Sequence, residues 1–197
     1  MPKASRRWRF GLRTMLVVLV VACVWLGIAA DRAKKQKRAV EEIRALGGTV
    51  WYDYQWDNYN ERFDPNAKPW GPVWLRDVVG VDMVADVVHV DTQVPAGDPD
   101  LEHVRELTGL THLSLDGIRI SDKGLEQLKG LTRLKYLTLL SPLVTDAGLE
   151  HLRGLSNLEG LGLIDTQVTS DGVAKFEQAH PCWVWRQRSG RFEEKTT

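Results

Sequence analysis

Leucines recur in a fixed phase along the second half of the chain. They stand at 107, 110, 113 and 115, then at 131, 134, 137 and 139, then at 155, 158, 161 and 163, each set twenty-four residues after the last. The stretch after each set repeats as well. Ser121, Asp122, Gly124, Leu125 and Leu128 correspond to Thr145, Asp146, Gly148, Leu149 and Leu152, and then to Thr169, Ser170, Gly172, Val173 and Phe176. Leu113 and Leu115 alternate around Ser114, which predicts a short strand with one buried face. Leu125 and Leu128 are three apart, which predicts one helix face. Ser121 is expected to cap that helix through its hydroxyl, with Asp122 favoured in the first turn by the helix dipole. Such a unit buries its leucines only by stacking on neighbours, so the expected class is α/β, with parallel strands on one side and short helices on the other.

The pattern L-x-x-L-x-x-L-x-L, a polar turn, then [Ser/Thr]-[Asp/Ser]-x-Gly-[Leu/Val]-x-x-Leu resembles the leucine-rich repeat family. It is similar to a bacterial, membrane-anchored branch with repeats of about this length. The resemblance covers about half the chain and implies a short solenoid. An irregular first unit precedes the regular ones: Val88 to Val94 matches Leu161 to Val168 with one residue deleted, and Asp91-Thr92-Gln93-Val94 is identical to Asp165-Thr166-Gln167-Val168. Leu101 and Val104 stand twenty-four before Leu125 and Leu128. Repeats therefore occupy 87–179. Trp183-Val184-Trp185 falls where a further strand would close the edge, and within the closing segment 180–197 a disordered polar tail is expected from Gln187 to Thr197.

A different pattern opens the chain. Thr14 to Ala30 carries no charge over seventeen residues, between a basic tail, 1–13, and a basic tract, 32–38. As a helix it spans roughly 25 Å, within reach of a bilayer core once Leu12 and snorkelling arginines are included. The expectation for 14–30 is a retained single-pass transmembrane helix in the lipid bilayer, with Trp8 and Phe10 at the interface. A cleaved signal peptide stays open, because Gly27-Ile28-Ala29 is a small-x-small site. Each flank carries five positive residues, so the charge rule is balanced. The short tail with its five is poorly suited to crossing, which favours the body on the non-cytoplasmic side. A helix with Ala39, Val40, Ile43 and Leu46 on one face fills the juxtamembrane segment 31–48 and stops at Gly47-Gly48.

Residues 49–86 are read as an aromatic cap. Trp51, Tyr52, Tyr54, Trp56, Tyr59, Phe63, Trp70 and Trp74 make up half of the chain's sixteen aromatics. Thr49 to Tyr54 has strand propensity, and Pro72 opens a short helix that ends at Gly80. These rings either close the core or stack on sugars, with Trp51, Trp56, Trp70 and Trp74 the candidates for glycan stacking.

Charge changes the picture last. The chain is formally neutral, yet 1–13 sums to +5 and 31–38 to +4, which leaves −9 for 39–197. An acidic body behind a basic membrane end is unsuited to nucleic acid. Alternation places His112, Ser114 and Asp116, Tyr136, Thr138 and Leu140, and Gly160, Gly162 and Ile164 on the exposed sheet face, bordered by Val87, His89 and Asp91. Such a face is expected to receive a protein or peptide. His89, Asp91, His112 and Asp116 follow no metal-ligand spacing, Gly160-Leu161-Gly162 is explained by the repeat, and there is no G-x-S-x-G. No cofactor, metal or catalytic group is expected. The leading reading is a non-catalytic interaction module; the alternative is an envelope-associated carbohydrate-binding or structural protein.

Overall fold

The computed structural model describes residues 12–57, 62–92, 97–117, 119–188 and 191–193. It begins with one uninterrupted helix, α1 (Leu12–Ala45), whose 34 residues extend ~51 Å. Nothing between Ala30 and Ala33 breaks the turn, so the apolar run and the juxtamembrane segment form one rod instead of two helices. Its apolar part is long enough to cross a membrane and buries nothing against the body. Beyond it, Ala39, Val40 and Ile43 are buried in the core. The helix stops at Gly47, whose φ of 80° is the left-handed geometry that glycine tolerates.

The body is mixed α/β, built on a seven-stranded, mostly parallel sheet. After α1 come β1 (Thr49–Tyr52), a two-stranded hairpin of β2 (Trp56–Asp57) and β3 (Arg62–Phe63), and α2 (Val73–Val79). Strands β4 (Val87–Thr92), β5 (His112–Asp116), β6 (Tyr136–Leu140), β7 (Gly160–Ile164) and β8 (Trp183–Arg188) then alternate with helices α3 (Leu101–Val104), α4 (Asp122–Leu125), α5 (Asp146–Leu152) and α6 (Ser170–Ala179). The sheet order is β1-β4-β5-β6-β7-β8-β9, with β9 (Arg191–Glu193) antiparallel at the far edge. Gln187 and Arg188, and then 191–193, therefore pair as strands where a disordered tail was expected; 194–197 lie outside the described residues.

The strands pair in the phase of the leucines. His112, Tyr136 and Gly160 are register partners, as are Leu113, Leu137 and Leu161, so each parallel step from β5 to β7 advances the chain by one spacing. All twelve phased leucines are at most 4% exposed and form the layer between sheet and helices. One residue at the edge of this pattern departs from it. Val87 is wholly buried instead of bordering the open face, because the β1–β4 register slips between Trp51 and Tyr52 and Tyr52 pairs with Val87.

The polar half of the spacing has a structural cause that a local reading misses. Asp98 accepts hydrogen bonds from the Ser121 amide (2.7 Å) and hydroxyl (2.5 Å). Asp122 does the same for Thr145 (2.8 and 2.6 Å), and Asp146 for Thr169 (2.7 and 2.7 Å). Each aspartate thus ties its helix to the next one. Thr145 and Thr169 also accept from their own helix amides, at Ala147 and Gly172. Ser121 departs from its expected role: its hydroxyl donates to Asp98 and makes no capping bond. Ser170 replaces aspartate where, among the described residues, no further helix follows, and its hydroxyl accepts from Arg186 (3.0 Å) instead.

Candidate functional site

Parallel pairing in constant register stacks equivalent side chains into rows across the strands. One row on the face away from the helices runs Trp51, His89, His112, Tyr136, Gly160, Trp183. The next runs Thr49, Asp91, Ser114, Thr138, Gly162, Trp185, and a third Asp116, Leu140, Ile164, Gln187. The nine residues expected on this face, His89, Asp91, His112, Ser114, Asp116, Tyr136, Thr138, Leu140 and Ile164, thus belong to three adjoining rows. Asp116 is exposed and the other eight are half-buried.

The first row is a continuous aromatic strip. His89 and His112 stack nearly parallel, 6° apart with centroids 5.4 Å apart, and His112 stacks on Tyr136 at 4.9 Å. Trp51 meets His89 edge to face at 4.2 Å. Trp56, from the hairpin, lies over both imidazoles, 5.6 Å from His89 and 5.0 Å from His112. Phe63 packs on Trp51 at 5.4 Å. At the other end a β-carbon on Gly160 would come within 2.9 Å of the Trp183 indole, and one on Gly162 within 2.4 Å of Trp185. Both glycines were expected to be open on this face; they are buried beneath these indoles.

Polar contacts fix the ring orientations. The Thr111 hydroxyl donates to the Val88 carbonyl (2.9 Å), so its contact with His112 Nδ1 (2.9 Å) has the imidazole as donor. The Tyr136 hydroxyl donates to Glu159 (2.9 Å), which also pairs with Lys135 (2.8 Å). Bonds from Lys135 and Tyr136 hold the Glu159 carboxyl below its usual range. His89 Nδ1 is buried with no hydrogen-bond partner among the described residues. Burial first, and His112 second, push the His89 pKa down to about 4 against the opposing pull of Asp91. A neutral His89 follows at neutral pH.

No family model matches the chain, and no characterised protein matches its sequence. Chemistry must be read from the face itself. Two stacked imidazoles, a phenol and indoles at both ends offer π-faces and apolar area. The second row adds one carboxylate and three hydroxyls. Among the described residues no group of three or more His, Cys, Asp or Glu side chains is placed to hold a metal.

The structure divides the four tryptophans proposed for glycan stacking. Trp51 and Trp56 join the histidine strip. Trp70 and Trp74 project elsewhere, with Trp70 donating its indole N–H to the Val84 carbonyl (3.2 Å). Three aromatic residues of this face were assigned in the sequence only to the cap or to the closing strand: Phe63, Trp183 and, in the second row, Trp185. The signal for the last two was available, because a Trp-x-Trp of period two lies one strand after the Gly-x-Gly of β7.

The lowered His89 pKa has a sign that can be checked. Its unfolded value is near 6.5 and its folded value about 4. The unfolded chain therefore binds the extra proton between those values, and stability falls as pH drops from about 6.5 to about 4. That range corresponds to ~3 kcal/mol for a fully desolvated ring, and screening of this half-buried one reduces the expected loss to about 1–2 kcal/mol. Urea titrations of wild type and His89→Phe in detergent at pH 7 and pH 4 measure it. Wild type should lose more stability than the variant by that amount; equal losses would mean that His89 titrates normally.

Proposed function

We propose that the protein is a single-pass, membrane-anchored leucine-rich repeat protein whose open sheet face binds a protein or peptide without catalysis. The observation that carries this reading is the strip from Trp51 to Trp183, six strand positions wide. At a strand spacing of ~4.8 Å it covers about 24 Å, the reach of an extended segment of roughly seven residues. Rigid aromatic surface beside a polar row suits such a segment, since rings supply contact area at low entropic cost and hydroxyls supply register. The constant spacing of strands, buried leucines and aspartate links supports the repeat reading. The exposed apolar length of α1 supports the anchor, and the five positive residues of the short N-terminal tail favour the body on the non-cytoplasmic side.

Carbohydrate binding is the second reading. Exposed Trp70 and Trp74 favour it, but Trp51 is held edge-on by His89 and flanked by Phe63, which leaves it poorly shaped as a stacking platform.

A photocrosslinking residue in place of Tyr136, with Lys129 on a helix-side turn as control, tests the leading reading in cells. A discrete protein adduct is expected from position 136 and not from 129. Identical adduct patterns at the two positions would remove the face from consideration, and fluorescence quenching by a polysaccharide without any protein adduct would favour the second reading.

A further inference from the structure

The contacts of α1 orient the body relative to the apolar run. Arg32 pairs with Asp86 (3.0 Å), and Gln36 bonds Asp82 (3.2 Å) and the Ala85 carbonyl (2.8 Å). Further along, Gly48 fits between Ile43 and the Asp91 carbonyl, so tightly that a β-carbon there would meet Ile43 at 2.7 Å and Asp91 at 3.4 Å. From Arg32 to Ile43 the helix rises about 16 Å. From Asp86 to Asp91 the chain rises about the same distance. The two paths run side by side in the same direction, so β4, and the strands parallel to it, point away from the apolar run. The N-terminal ends of β4 to β8 form the end of the body nearest Ala30.

An uncovered apolar surface lies at that end. Trp70 is bonded to Val84, two residues before Asp86, and α2 follows directly. Trp70, Val73, Trp74 and Val78 are all exposed, between 61% and 78%. Asp77 is exposed on the same side of the helix, so this surface suits the headgroup layer and not the hydrocarbon. Close by, Arg32, Lys34 and Lys35 follow the apolar run by two to five residues. Exposed tryptophans beside basic residues, at the level where an apolar helix ends, match the composition of a membrane interface.

We propose that Trp70 and α2 rest in the phospholipid headgroup layer of the membrane that α1 enters. This rests on reading α1 as a retained anchor. The body then has two attachments, one through α1 and one through α2. Because the rows cross the strands at right angles, the aromatic strip lies parallel to the bilayer. His89 is three residues along from Asp86, which sets the strip about 10 Å above the Arg32 level. A segment bound there lies flat along the membrane surface.

Nitroxide labels on the full chain in phosphatidylcholine–phosphatidylglycerol nanodiscs test this. One label is placed on native Cys23 in a Cys182→Ala chain. Others are placed at Val78→Cys and Lys123→Cys in a chain carrying Cys23→Ala and Cys182→Ala. Each is read by its collision with oxygen against a water-soluble nickel complex. Expected are strong preference for oxygen at Cys23, a weaker preference at position 78, and preference for nickel at 123. If 78 behaves like 123 while Cys23 stays deep, α2 does not dock although the anchor stands. Shielding of 78 from both quenchers would mean protein covers α2 and would overturn the proposal. A Cys23 label open to nickel would overturn the anchor reading and this inference with it.

Discussion

Gly148→Ala is expected to destabilise the body by about 2–4 kcal/mol, although helix propensity alone argues for a gain of about 1 kcal/mol. Gly148 sits inside α5 with ordinary helical backbone, so alanine meets no conformational obstacle. The obstacle is the neighbouring unit. A β-carbon at 148 would lie 2.4 Å from Asp122 Oδ1 and 2.9 Å from the end of Leu125. That carboxylate cannot swing aside without releasing the Thr145 amide and hydroxyl. The glycine and the aspartate are therefore one device, and a double-mutant cycle exposes it. Asp122→Ala alone should cost about 2–3 kcal/mol by removing two charge-assisted bonds. With that carboxylate gone, Gly148→Ala should become nearly neutral, because only the mobile end of Leu125 still needs to give. Thermal or urea unfolding of the four proteins measures the coupling. Simple additivity would show that aspartate and glycine act separately.

This device explains which parts of the molecule were legible in the sequence. Leu113, Leu137 and Leu161 declare their strands through spacing, because burial against neighbours at a constant step demands it. Asp122 and Gly148 carry the same spacing, yet each satisfies a local explanation, a helix dipole or a small residue. The bond from Asp122 to Thr145 becomes visible only when two units are set side by side. The aromatic strip was half legible for the same reason. His112 and Tyr136 follow from alternation within the repeats. Trp51 reaches His89 through an antiparallel pairing between β1 and β4 that no local pattern encodes, and Trp56 arrives with the hairpin. Val87 turned inward because a slip in that pairing reversed its face. Pairing of Arg186 with Glu193 turned a stretch read as disordered into strand, since polar composition alone does not show that an open sheet edge is within reach.

Gln36→Leu is expected to loosen α1 from the body, by about 2–3 kcal/mol, while leaving β5, β6 and β7 intact. Gln36 is only 4% exposed, a buried amide between Arg32, which pairs with Asp86, and the apolar Ala39, Val40 and Ile43. Its Nε2 donates to Asp82 and to the Ala85 carbonyl, and its Oε1 accepts from the Val87 amide (3.4 Å). Asp82 also accepts from the buried Tyr52 hydroxyl (3.0 Å), and burial followed by the charge of Asp82 raises the Tyr52 pKa. Leucine matches the volume and the helix preference of glutamine, so the change removes the bonds and little else. It takes the side-chain partner from the Ala85 carbonyl and the Val87 amide, both in buried residues, and from the half-buried Asp82. Hydrogen exchange on the full chain in nanodiscs separates local from global effects. Amides of 33–45 should lose protection, while those of β5, β6 and β7 keep theirs, because their leucines are buried by each other and not by α1. Unchanged protection across 33–45 would show that apolar packing alone holds the helix. Loss in both regions would show that the body needs α1 to fold. On the proposed anchoring the expected split has a functional meaning: Gln36 would make α1 a rigid mount, and without it the strip would no longer hold a set height above the bilayer.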